Sequence, residues 1–238
     1  MLFALSTSVY YYQGKRNPED EQIHKELIAL AELHRSWGFW MMFHHVRLFS
    51  FTWNHKRVYR VYTQMYLNLR RKYKQRLPSR IKIPLIQPLH PNMNWSMDFM
   101  SDSLLGGRTF RTFNIIDDYN REALNSTLDT SITSQRVIRQ LEELISWRGK
   151  PEQIRVENGP EFLAVILQQW CELHGITLIF IQKGKPTQNA YVERFNRTYR
   201  QEVLNSYAFE SLTQARAITQ AWMWIYNNER PHNGQNHI

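Results

Sequence analysis

The sequence predicts an α/β protein: a mixed five-stranded sheet with flanking helices, preceded by a small, basic, helix-turn-helix-like helical module. Three observations carry this. The first 77 residues place apolar side chains at helical spacing among many basic ones. Four prolines, Pro78, Pro84, Pro88 and Pro91, then interrupt that pattern. Beyond them, alternating strands lead into a helix–strand–helix–strand–helix succession. The expected organisation is a helical module over 1–77, a linker over 78–92, a core over 93–230 and a tail over 231–238.

In the module, "EDEQIHKELIALAELH" (19–34) sets Ile23, Leu27, Leu30 and Leu33 on one helical face, with acids in the first turn where the helix dipole favours them. A second short helix is expected after Gly38. A third, over 52–77, carries Val58, Tyr62, Met65 and Leu69 on its apolar stripe. Three short helices with a basic last one fit a helix-turn-helix-like bundle, a weakly specific pattern. In the core, "NWSMDFMSD" (94–102) alternates Trp95, Met97 and Phe99 against Ser96, Asp98 and Met100, as a strand does. Residues 106–130 read as strand, turn at Asp118–Asn120, and strand. Helix 134–150 ends at Gly149, strand 152–156 follows, and helix 161–175 ends at Gly175. Strand 176–181, helix 186–205 with Thr187 as its cap, and helix 211–229 complete the core.

Charge is distributed unevenly over the 238 residues. Between Leu33 and Met97 there are twelve Lys/Arg and no acid, whereas the rest of the chain has eighteen Lys/Arg against 21 acids. An Arg-rich front interleaved with Tyr, Trp and Phe points to a polyanion, above all nucleic acid; a solvated basic surface is the bland alternative. The single cysteine, Cys171, excludes an internal disulfide framework and a thiolate zinc site. No apolar run reaches membrane-spanning length, and the first residues lack the parts of a signal peptide, so a soluble cytoplasmic protein without membrane association is expected.

Three acids stand where chemistry can use them: Asp98 in a strand, Glu157 at a strand end before Asn158-Gly159-Pro160, and Glu193 on a helix. The intervening stretches hold 58 and 35 residues. Converging carboxylates repel and raise one another's pKa unless a cation offsets them. Mg²⁺ prefers such hard oxygen ligands, and a metal pair can activate attack on a phosphodiester.

The stretches "WSMDFM", "NIIDDYNREAL", "RGKPEQIRVENGPEF", "QKGKPTQNAYVERFNRTYR" and "YNNERPH" resemble the catalytic protein, encoded by the second overlapping reading frame, of the third insertion-sequence family of bacterial transposases. The resemblance runs from about residue 10 to residue 232. It implies a ribonuclease-H-like core related to retroviral integrases and an Asp, Asp, Glu triad binding Mg²⁺ (or Mn²⁺). By position the triad residues are Asp98, Glu157 and Glu193, which are then both the catalytic residues and the metal ligands. The implied reaction is hydrolytic nicking at an element end followed by direct attack of the freed 3′ hydroxyl on target DNA, with no covalent enzyme intermediate. Implied partners are DNA (element ends and target), the upstream-frame helix-turn-helix protein and further copies of the chain.

Other residues carry weaker signals. Asn189, Glu193 and Arg197 share one helical face. Glu193 on metal with Asn189 and Arg197 near DNA competes with an exposed Glu–Arg pair of little energetic weight. "QKGKPTQNA" fails the phosphate-loop pattern, lacking the first Gly and placing Pro186 after Lys185; Lys183 and Lys185 are read as DNA-backbone contacts or as ordinary loop charges. Lys56, Arg57 and Arg60 are the front module's candidate phosphate contacts, against a basic surface folded onto the core. Asp117 and Asp118 are turn formers before they are metal ligands. His44 and His45 point apart on a helix and suit structural packing better than a zinc module.

Two departures from the family pattern bear on activity: the second acid is Glu157 where the family has Asp, and the chain ends at "RPHNGQNHI", which suggests truncation or a frameshift; Lys183 for a usual Pro is a small third one. The start at Met1 leaves the upstream helix-turn-helix and zipper protein to a separate partner or a frameshift fusion. Together these raise the alternative of a non-catalytic DNA-binding remnant; a nuclease of the same fold that cleaves without joining is a further one.

Overall fold

A computed structural model describes residues 18–49, 51–69, 87–182 and 186–230. The chain divides into two compact units, Met1–Lys72 and Tyr73–Ile238.

The first unit contains three helices: α1, Pro18–Leu33; α2, Phe39–Leu48; and α3, His55–Gln64. Their apolar faces meet in one core around Ile23, Leu27, Trp37, Phe43, Val58 and Tyr62. Glu19, Asp20 and Glu21 occupy the first turn of α1, as expected. Asn54 caps α3 by accepting from the Lys56 backbone N–H. α3 is much shorter than the helix expected over 52–77. Its last turn is drawn off because the Tyr62 hydroxyl donates to the Leu67 carbonyl at 2.6 Å, and Tyr66 adopts a left-handed φ of 56°. The apolar stripe therefore stops short of Leu69, which is exposed. Of the adjacent histidines, His45 is buried against the stacked His34–Trp37 pair and His44 is exposed.

The second unit is a five-stranded mixed sheet: β1, Asn94–Ser103; β2, Thr109–Asp117; β3, Ala123–Asp129; β4, Gln153–Val156; and β5, Thr177–Phe180. The order is β3-β2-β1-β4-β5, with β1–β2 and β2–β3 antiparallel and β1–β4 and β4–β5 parallel. Helices cover both faces, and β1 alternates between them as its sequence predicts. Trp95 and Met97 join one core with α4, Ser134–Arg148, and with α5, Pro160–Leu163, and α6, Val165–Leu173. On the other face Phe110, Ile116 and Leu128 pack against α7, Ala190–Tyr199, and α8, Leu212–Asn228.

Two helices depart from expectation. The helix predicted over 161–175 is broken at Ala164, whose extended ψ of 130° separates α5 from α6. A single helix would set Phe162 and Leu167 about 140° apart around its axis; resetting the phase at Ala164 lets both enter the same core. The helix predicted over 186–205 begins as a 3-10 turn, Pro186–Asn189, and ends as a π segment, Arg200–Leu204. Asn189 rather than Thr187 is the N-cap of α7. The expected core stripe of Val192, Phe195, Tyr199 and Val203 is buried. Among the described residues, no helix is long and apolar enough to cross a membrane.

Candidate active site

Asp98 lies in β1 on the face opposite Met97 and Phe99. Glu157 follows the last residue of β4. The parallel ladder pairs Trp95 with Ile154 and Ser96 with Arg155. Continued by two residues, that register sets Glu157 beside Asp98, about one strand spacing (~4.8 Å) away. Glu193 is in the first turn of α7, the helix that crosses β1 and β2 on this face.

Burial, then the Glu157 charge and, more weakly, Glu193 push the Asp98 carboxyl up to about 7, against hydrogen bonds from the Phe99 N–H and Asn196. Burial and the Glu157 charge also raise Glu193, while Arg197 lowers it. Each of the two groups thus feels Glu157. Asn189, one helical turn before Glu193, is fully buried, and neither atom of its amide finds a partner among the described residues.

A polar chain supports Asp98 from beneath. The Ser126 hydroxyl donates to Asn114 Oδ1 at 2.6 Å, Asn114 Nδ2 donates to Asn196 Oδ1 at 2.7 Å, and Asn196 Nδ2 donates to Asp98 Oδ2 at 2.7 Å. Asp98 Oδ1 accepts from the Phe99 N–H at 2.8 Å. Both carboxylate oxygens are thereby oriented, and each keeps a second lone pair. Sequence reading missed this chain. Its signal was there: Asn196 interrupts the apolar stripe of α7, and Asn114 interrupts "TFNII" in β2.

Asp117 behaves as a turn former, whereas the Asp118 side chain is buried against residues of the neighbouring strands. Asp117 accepts from the Tyr119 and Asn92 N–H groups, both at 2.9 Å. Asp118 is buried against Arg155 at 2.9 Å and Asn94. Burial pushes its carboxyl up to about 6 against the opposing pull of Ser96, Arg155, Asn94 and Arg121. Arg121 in turn lies over the Tyr191 ring at 3.3 Å, tying this hairpin to the start of α7.

The remaining sequence candidates are dispersed. Lys183 and Lys185 lie outside the described residues. Arg197 is exposed on α7. In the first unit Lys56 is exposed, but Arg57 and Arg60 are engaged: Arg57 pairs with Glu19 and with Asp20 at 2.9 Å, and Arg60 pairs with Asp20 at 2.6 Å.

The donor set suits a hard divalent cation. It is all carboxylate, and the Glu157 charge raises the proton affinity of Asp98 and Glu193, a cost that bound positive charge removes. Among the described residues, no group of three His, Cys, Asp or Glu is placed so that it could hold a metal ion. Mg²⁺ retains several waters and commonly uses one or two carboxylates together with substrate phosphate oxygens, so Asp98 and Glu157, neighbours by strand register, fit it without a third protein ligand.

The fold and this acid-lined sheet define a ribonuclease-H-like core of the kind found in retroviral integrases. The simian T-cell lymphotropic virus intasome in complex with PP2A regulatory subunit B56 gamma aligns with a TM-score of 0.53 at 18% identity, covering 81% of this chain and 66% of that one. The HTLV-2 integrase catalytic core in complex with magnesium aligns with a TM-score of 0.50 at 25% identity, covering 61% and 92%. Integrase core domain models match residues 88–186 and 174–238. The insertion element IS407 uncharacterized 31.7 kDa protein of Burkholderia multivorans is 38% identical over 237 residues, 100% of this chain and 86% of that protein. The IS476 uncharacterized 39.2 kDa protein of Xanthomonas euvesicatoria is 36% identical over 231 residues, 97% and 67%. The chain belongs to the insertion-element family built on an integrase core domain, the third insertion-sequence family of bacterial transposases.

Proposed function

We propose that this chain is a DNA strand transferase that nicks the ends of an insertion element and joins them to target DNA, with Asp98, Glu157 and Glu193 as catalytic residues and metal ligands. The observation that carries the reading is the β1–β4 register, which brings Glu157 beside Asp98, with Glu193 on the helix that crosses the same face and its carboxyl raised in part by the Glu157 charge. When bound, Mg²⁺ (or Mn²⁺) supplies the charge that offsets them and activates an oxygen nucleophile toward the phosphodiester. The magnesium in the HTLV-2 integrase core is in keeping with that choice. The chain's own residues do the rest. The Asn196–Asn114–Ser126 chain orients Asp98, and the Arg121–Tyr191 contact steadies the helix bearing Glu193. The exposed Arg197, on the same face as Glu193, is a proposed contact to the DNA backbone, with Lys183 and Lys185 as further ones; Asn189, expected from the sequence to lie near DNA, is fully buried. DNA is the substrate, further copies of the chain act together on it, and the upstream-frame helix-turn-helix protein is the proposed additional partner.

A second reading, a DNA-binding remnant that joins nothing, is favoured by Glu157. The family motif has Asp there, and the extra methylene shifts the carboxylate by about a carbon–carbon bond. Metal constellations tolerate roughly 0.5 Å, and misplacement by about 1 Å can cost on the order of a hundredfold in rate. The test is Mg²⁺-dependent nicking and 3′-end joining of element-terminal DNA, with the partner protein added. Joining by the Glu157→Asp variant that is lost in Asp98→Asn and Glu193→Gln is expected, with the native chain slower by about a hundredfold. Equal rates for native and Glu157→Asp would falsify the cost assigned to the longer acid. No joining by any of them favours the remnant.

A further inference from the structure

We infer that the first unit meets duplex DNA through the face formed by Trp40, His44, His55, Lys56 and Tyr59, and that Arg57 and Arg60, the more basic side of the same helix, are not the contact. This rests on the proposed action on DNA and specifies where the front unit takes hold of it.

Charge in this unit is sorted by helix. Among the described residues all of its acids, Glu19, Asp20, Glu21, Glu26 and Glu32, are on α1, and neither α2 nor α3 carries any. Arg57 and Arg60 turn toward α1 and are bonded there: the Arg57 Nε to Asp20 at 2.9 Å, its terminal nitrogen to Glu19, and Arg60 to Asp20 at 2.6 Å. Two guanidinium groups facing two carboxylates present almost no net charge to a polyanion. To grip phosphate they would first have to break these bonds, leaving the acids to repel the DNA.

Among the described residues, no ion pair neutralises the other side of α3. Trp40 is 57% exposed and lies between His44 and His55, each ring centroid 6.0 Å away and tilted by 27°. Phe43 meets both imidazoles edge-on at 5.7 and 6.3 Å. Tyr59, 49% exposed, extends the patch along α3 through Phe39, 4.8 Å away. The exposed Lys56, between Tyr59 and Arg60 around the helix, lies at the edge of this patch, without an acid on either helix. Such interlocked rings are already ordered, so docking freezes few additional rotamers. The face offers imidazole, ammonium and phenol donors on a single helix, flanked by a rigid aromatic shelf from the helix before it. One helix fits the major groove, and these donors suit base edges and phosphate oxygens.

The experiment measures binding of the full chain to a fluorescein-labelled 24-bp mixed-sequence duplex by anisotropy at several salt concentrations. Circular dichroism melts verify each variant. Trp40→Ala combined with Lys56→Ala is expected to weaken binding at least tenfold, and Lys56→Ala alone to flatten the log–log salt slope by about 0.9. Arg57→Gln combined with Glu19→Gln, which keeps the local charge balance, is expected to bind within about twofold of the native chain. The inference is overturned if the Trp40/Lys56 variant binds unchanged, if the Arg57/Glu19 variant loses as much as it does, or if the native chain does not bind the duplex. Strand joining, assayed separately, reports on the catalytic reading whichever way binding falls.

Discussion

Burial, then the Glu157 charge and more weakly Glu193, push the Asp98 carboxyl up from the ordinary aspartate range to about 7. The linkage has a definite sign. A carboxyl whose folded pKa lies near 7 and whose unfolded pKa lies near 4 favours the folded state below pH 4, and that contribution is lost as pH rises from 4 to 7. In the metal-free chain at pH 8, Asp98→Asn should therefore raise stability, on the order of 2 kcal/mol, and the gain should vanish below pH 4. Urea melts in a chelator at the two pH values check this; a variant that is less stable at pH 8 contradicts it. The same variant should join no DNA, so stability and function part company at this residue. Burial and Glu157 were not visible in the sequence as neighbours of Asp98; only the parallel register of β1 and β4 reveals them.

At the scale of elements, α7 links packing to chemistry. Its core stripe holds it to the sheet, and Asn196 uses one position of that stripe to bridge Asn114 and Asp98. Replacing Asn196 with Leu leaves Asn114 short of a partner and removes a hydrogen bond that lowers the Asp98 pKa. The expected result is a loss of about 1–3 kcal/mol in stability, with Asp98 titrating higher still, as read by carboxyl NMR; an unchanged melt and titration contradict it. At the end of α4, Gly149 occupies φ 92°, ψ 167°, a region closed to side chains. Gly149→Ala should cost about 1–3 kcal/mol, checked by denaturant unfolding; a change within error would count against strain there. Alternation and periodicity made β1, β2, β3, α4 and α8 legible from sequence. The breaks at Gln64 and Ala164 were not legible. Each is set by a tertiary demand, the Tyr62–Leu67 bond and the joint burial of Phe162 and Leu167.

At the scale of the whole molecule, the sequence's contrast between a basic front and a mildly acidic remainder needs refinement. Within the first unit the acids of α1 neutralise part of the basic helix α3, so the count of Lys and Arg overstates the charge offered outward. Ionic partners of this kind join residues nearly forty positions apart, which spacing alone does not reveal. The places of the three acids, by contrast, were legible, because each stands at its own point of a regular element: mid-strand, just past a strand end, first helical turn. Their supporting layer was not, because Ser126, Asn114, Asn196, Arg155 and Asp118 gain meaning only from cross-strand register and helix packing.

The proposed function requires Asp98, Glu157 and Glu193 to hold a divalent ion together once DNA is bound. Mn²⁺ binding to the full chain in the presence of duplex DNA, followed by electron paramagnetic resonance, tests it most directly. The account predicts bound Mn²⁺ with the native chain, at least tenfold weaker binding in each of Asp98→Asn, Glu157→Gln and Glu193→Gln, and competition by Mg²⁺. Native-strength Mn²⁺ binding in all three variants would contradict it.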